Sequence, residues 1–113
     1  MTKTLMHIEG MNGQVELLPD RVVIHRKGLW NAFSYGLNAK REIPLGALTE
    51  VALKPAGLLV FGEIEFVSGG RMMQARKTAN PNAVKFRRDK NAAFEALKEK
   101  IFEIINQQQR QQK

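Results

Sequence analysis

A run of short strand-like segments that ends in one amphipathic helix limits this chain to a few architectures. Residues 5–87 alternate and turn like a small antiparallel β structure. Residues 90–107 then carry one apolar stripe of Phe94, Leu97, Ile101, Ile104 and Ile105 at helical spacing. A lone terminal helix must bury such a stripe, and the β segment before it offers the surface. At 1.5 Å per residue the helix would be about 27 Å long, enough to cover one face or end of a small barrel.

Turn residues divide the β region. Met11-Asn12-Gly13 separates residues 5–10 from 14–17, and Pro19-Asp20 separates 14–17 from 21–26 as a hairpin. Val15 and Leu17 share one face, and the β-branched run Val22-Val23-Ile24 follows. Residues 40–43 form a strand that Pro44 ends, and Gly46-Ala47-Leu48 reads as one tight helical turn. Residues 49–54 return to strand until Pro55-Ala56-Gly57 breaks it. Residues 58–67 read as the longest strand, with Val60, Ile64 and Phe66 inward and Glu63 and Glu65 outward. Ser68-Gly69-Gly70 turns into a partner strand at 71–78. Residues 83–87 are the last strand, with Val84 and Phe86 inward. Asp89 or Asn91 is placed to cap the helix. Residues 1–4 and the polar 107–113 stretch have nothing to bury and read as flexible ends around one domain at 5–106.

The order of these segments resembles that of short bacterial pleckstrin-homology-like (PH-like) domains, over roughly residues 8–106. Glu42-Ile43-Pro44-Leu45 followed by Leu48 and Val51 is similar to a strand end and tight turn of those families. Gly62, Ile64 and Phe66 followed by Gly69-Gly70 resembles their next hairpin. Asn82-Ala83-Val84-Lys85-Phe86, then Asn91, Phe94, Leu97 and Ile101, resembles their last strand and helix. The resemblance implies a mainly β (α+β) fold: a small antiparallel barrel or sandwich of about seven strands closed by the C-terminal helix. It implies a binding or assembly role and no particular chemistry. The basic first-loop pattern of phosphoinositide-binding members is missing, since Leu18-Pro19-Asp20-Arg21 is short and carries an acid. The helix has Phe94 and Phe102 where such domains usually carry tryptophan.

Charge narrows the partner. The formal net charge is +7, which favours an anionic surface. Two constellations stand out. In residues 26–41, Arg26, Lys27, Lys40 and Arg41 flank the aromatics Trp30, Phe33 and Tyr35. These would suit a membrane interface, a protein contact or stacked bases. Leu29, Trp30, Phe33 and Leu37 also fit one helical face folded onto the core. The second is the cationic set of Arg76-Lys77 with Lys85, Arg87, Arg88 and Lys90, of which Lys85 and Arg87 alternate with inward Val84 and Phe86. It is an anion-binding face or a strand edge blunted by charge. Four such cations near an acidic membrane supply roughly 3–4 kcal/mol, a transient attachment. Phe102, about 80° off the stripe, sits at the rim of the core or at a subunit contact.

Little suggests an enzyme. The chain has no cysteine, which removes disulfides and thiolate chemistry and fits a reducing compartment. His7 and His25 fall on separate strands, with His25 facing outward opposite Ile24. Glu63 and Glu65 read as a solvated strand face, and no glycine-rich stretch joins a strand to a helix as a phosphate loop does. Residues 1–9 lack a leader-like apolar run, and no stretch approaches the roughly 20 apolar residues of a membrane span. The expectation is a cytoplasmic, non-enzymatic PH-like module without cofactor or metal. Its partner would be a protein, a second copy of itself or an anionic membrane surface. The alternative is a basic nucleic-acid-binding β domain.

Overall fold

The computed structural model describes residues 3–26, 40–68 and 82–111. Its strands form two antiparallel sheets. The first contains β1 (Met6–Glu9), β2 (Gln14–Leu17), β3 (Arg21–His25) and β4 (Lys40–Pro44) in that spatial order. The second contains β5 (Leu48–Lys54), β6 (Gly62–Ser68) and β7 (Ala83–Phe86). The helix α1 spans Asn91–Gln111. The chain is therefore a small, mainly β α+β domain with one C-terminal helix. The expected strand at 71–78 lies outside the described residues.

Alternation sets the sheets because every second side chain meets the core. Val15 and Leu17 on β2, Val22 and Ile24 on β3, and Ile64 and Phe66 on β6 are all fully buried. Leu18 N–H donates to the Arg21 carbonyl at 2.9 Å, closing the Pro19-Asp20 turn. The tight turn expected at 46–48 is a 3-10 turn at Leu45–Ala47. The helix stripe is also as read: Phe94, Leu97 and Ile101 are fully buried, and Ile104 and Ile105 pack partly against the same core. The helix lies on β5, β1 and the Leu45–Ala47 turn, and the Phe94 ring stacks on Phe86 at 4.3 Å between centroids. It continues past the expected Gln107 because glutamine and arginine sustain helix without burial.

Two features tie the sheets together. Met11 N–H donates to the Lys85 carbonyl at 2.7 Å, and Lys85 N–H donates to the Asn12 side chain at 2.8 Å. The β1–β2 turn thereby lies against β7. The approach is close enough that a Cβ on Gly10 would fall 2.4 Å from Val84 Cγ1 and 2.7 Å from the Lys85 carbonyl oxygen, so only glycine fits there.

The outer face of the first sheet carries a small polar set. The Glu16 carboxylate accepts the Thr4 hydroxyl proton and meets His25 Nε2 at 3.0 Å. His25, expected to be exposed, is half-buried through this pairing on the face opposite Ile24. The Thr4 hydrogen bond, then His25, hold the Glu16 carboxyl below its ordinary 4.5. As pH falls, the unfolded chain takes up this proton first, so the Glu16 contribution is full above about pH 4.5 and fades below it. Urea midpoints between pH 6 and 3 should show Glu16→Gln less stable than the parent at the upper end, with the gap closing in acid. A gap that widens in acid would contradict this placement.

Candidate functional site

The clearest departure from the sequence reading defines the site. Residues 58–61 do not belong to the strand expected at 58–67, because β6 begins at Gly62. Val60, expected inward, is exposed. Leu58, Leu59, Val60 and Phe61 are 84%, 98%, 53% and 54% exposed. Gly57 N–H donates to the Val60 carbonyl at 2.8 Å. This bond closes a tight turn with Leu58 and Leu59 at its apex.

The base of this β5–β6 loop is held firmly while its tip is bare. Ala56 is buried, and both of its backbone groups are taken by one side chain. Ala56 N–H donates to Asn91 Oδ1 at 2.8 Å, and Asn91 Nδ2–H donates to the Ala56 carbonyl at 2.9 Å. Asn91, expected as a helix cap, spends its amide on this clamp at the start of α1. Gly62 closes the other side. A Cβ there would fall 2.4 Å from the Phe86 ring and 2.8 Å from Ala56 N, so Gly62 lets loop, β6 and β7 meet.

Beside the tip lies a recess of about 430 Å³ lined by Gly57–Phe61 with Arg87 and Arg88. Among the described residues its only charged ones are the two arginines. Both are exposed, just after the end of β7. A neighbouring recess is lined by Glu9, Gly10, Met11, Asp89 and Lys90 together with Arg87, which borders both. Asp89 therefore faces the β1–β2 turn rather than the apolar loop. Lys85 is exposed on β7 and stands opposite Glu63 in the β6–β7 register.

The other expected constellation is only partly described. Lys27, Trp30, Phe33 and Tyr35 lie outside the described residues. Its flanking cations diverge. Arg26 is buried, 8% exposed, with Nη1 donating to the Asn12 carbonyl at 2.8 Å and Nη2 to the Ala83 carbonyl. It is a structural arginine between the β1–β2 turn and β7, which departs from its expected place on a partner surface. Arg41 is exposed, and its Nε donates to Asn82 Oδ1 at 2.8 Å. Lys40 is exposed at the start of β4, 4.0 Å from Glu42.

Phe102 is 39% exposed, and the Lys98 ammonium stands 5.9 Å from its ring centroid. Both border a shallow groove with Leu53, Pro55 and Glu99. Reading the sequence alone missed Leu58, Leu59 and Phe61 as surface residues and Asn91 as the clamp that presents them. Their signal was present: a continuous 59–61 run would put Leu59 and Phe61 on the face that carries Glu63 and Glu65.

No described helix is long and apolar enough to cross a membrane. No family model, curated protein or solved structure matches this chain.

Proposed function

We propose that this is a non-enzymatic, PH-like binding module of the cytoplasm. Its binding face is formed where the β5–β6 loop meets Arg87 and Arg88, and its partner is anionic. The four-plus-three strand arrangement followed by a helix supports the PH-like reading, with the sheets folded into a small barrel or sandwich. The absence of cysteine fits a reducing compartment.

One observation carries the choice of face. Single exposed apolar side chains are ordinary, but a contiguous group presented together marks an interaction surface. Here four in a row are exposed on a loop with a clamped base, beside two exposed arginines in one recess. A preformed loop lowers the ordering cost of binding, and cations at the rim attract and orient an acidic partner.

Amide resonances of the 15N-labelled protein, titrated with short-chain polyphosphate, test the reading. Shifts are expected at 57–61 and 85–90 and should weaken sharply in R87E/R88E, which should fold as the parent does because both sites are exposed. Shifts confined to other faces, or no binding of any anion, would overturn it.

A further inference from the structure

We propose that the β5–β6 loop is a membrane-docking element. Leu58 and Leu59 enter the boundary between headgroups and acyl chains of a bilayer containing anionic lipid, and Arg87 and Arg88 hold the lipid headgroups at the rim. This rests on the binding face assigned above and adds its occupant and its mode of attachment.

Shape, composition and charge each favour a bilayer. The tip is convex: Leu59 is 98% exposed and Leu58 84%, so a protein partner would need a pocket to receive them, whereas a bilayer needs only depth. Residues 55–61 read Pro-Ala-Gly-Leu-Leu-Val-Phe, seven residues without a polar side chain. A loop that stayed in water would gain nothing from that composition. Phe61, half-exposed below the tip, stands where aromatic rings favour the interface. Interfacial apolar groups of this kind sit about 5–10 Å into the headgroup boundary, and attachment combines their burial with attraction to acidic lipid.

Charge placement matches that geometry. Within the recess beside the loop, Arg87 and Arg88 are the only charged groups among the described residues, while Glu9 and Asp89 line the adjoining recess that Arg87 also borders. An acidic headgroup beside the inserted tip therefore meets two cations in a recess that no described carboxylate lines. Each cation near such a surface strengthens attachment several-fold. The Asn91 clamp on Ala56 and the Gly57–Val60 bond keep the tip formed before contact, and that bond also satisfies two backbone groups that the interface would leave short of water.

The cysteine-free sequence makes the test direct. Leu59→Cys, labelled with an environment-sensitive dye, reports the tip alone, and Ala96→Cys, exposed on the helix, is the control. With vesicles of phosphatidylserine and phosphatidylcholine, the Leu59 dye should shift to the blue and be quenched by lipid-borne quencher, while the Ala96 dye does neither. Pure phosphatidylcholine vesicles should give at most a weak signal. In co-sedimentation, L58S/L59S should lower partitioning about tenfold with the urea midpoint of the parent retained, and R87E/R88E should sharply weaken both vesicle and polyphosphate binding. Binding to acidic vesicles with a silent Leu59 dye and no effect of L58S/L59S would overturn insertion while leaving the anion-binding face intact. Binding to nucleic acid or polyphosphate with none to acidic vesicles would also overturn it. Absence of polyphosphate binding by the parent protein would instead remove the reading on which it rests.

Discussion

Phe94→Ala should destabilise the domain by about 3–5 kcal/mol, among the largest effects of any single truncation. Phe94 is fully buried. Its ring stacks on Phe86 at 4.3 Å and 14° between planes, where offset aromatic pairs add to the energy of burial. Truncation removes the transfer energy of the ring, the stacking and the contacts of its neighbours, and leaves a cavity. That cavity cannot collapse cheaply. One wall is the helix and another is β7, whose position is fixed by the Met11 and Asn12 bonds to Lys85. Since small domains have only about 5–15 kcal/mol in total, the variant should keep a much reduced urea midpoint with an unchanged slope. Ala96→Ser, on the solvent face of the same helix, should change stability by less than about 1 kcal/mol. A loss of under about 1 kcal/mol for Phe94→Ala would mean that the helix is not seated on the sheets through this stripe.

What could be read from the sequence followed from local periodicity. The Val15/Leu17 alternation, the Pro19-Asp20 reversal and the Phe94/Leu97/Ile101 stripe each lie within a few residues, and each appears in the fold with boundaries near those expected. The β5–β6 loop was hidden because Leu58-Leu59-Val60-Phe61 consists of residues that strands favour, and a short apolar run has no period to separate strand from loop. What ends the strand at Gly62 is distant: the Phe86 ring and the Ala56 backbone, held by Asn91. The same holds for Arg26. A basic residue at a strand end reads as solvent-facing, and only the arrival of the Asn12 and Ala83 carbonyls, one of them 57 residues away, makes it interior. The exposure of Lys85 and Arg87 was legible through alternation with Val84 and Phe86, but their apolar neighbour was not.

Replacing that interior arginine should produce the second large effect. Arg26→Leu is expected to cost about 2–4 kcal/mol, because hydrogen bonds from a charged donor are lost and their acceptors stay behind in the interior. The guanidinium spans two separate elements, with Nη1 on the Asn12 carbonyl of the β1–β2 turn and Nη2 on the Ala83 carbonyl of β7. Its fork suits two acceptors at once. Arg26→Lys keeps the charge but offers a single point of donation, so it should recover only part of the loss. Gly13 sits against the same group, with its would-be Cβ 3.1 Å from Nη1, so a larger side chain has little room to refill the space. Arg41→Leu is the useful comparison. Arg41 is exposed and holds Asn82 from the surface at 2.8 Å, and its loss should cost less than about 1 kcal/mol. The two variants separate a structural arginine from a recognition arginine. If Arg26→Leu melts with the parent yet fails to bind a partner, Arg26 belongs to a contact surface. If it unfolds early while Arg41→Leu does not, Arg26 acts by fastening the β1–β2 turn to β7.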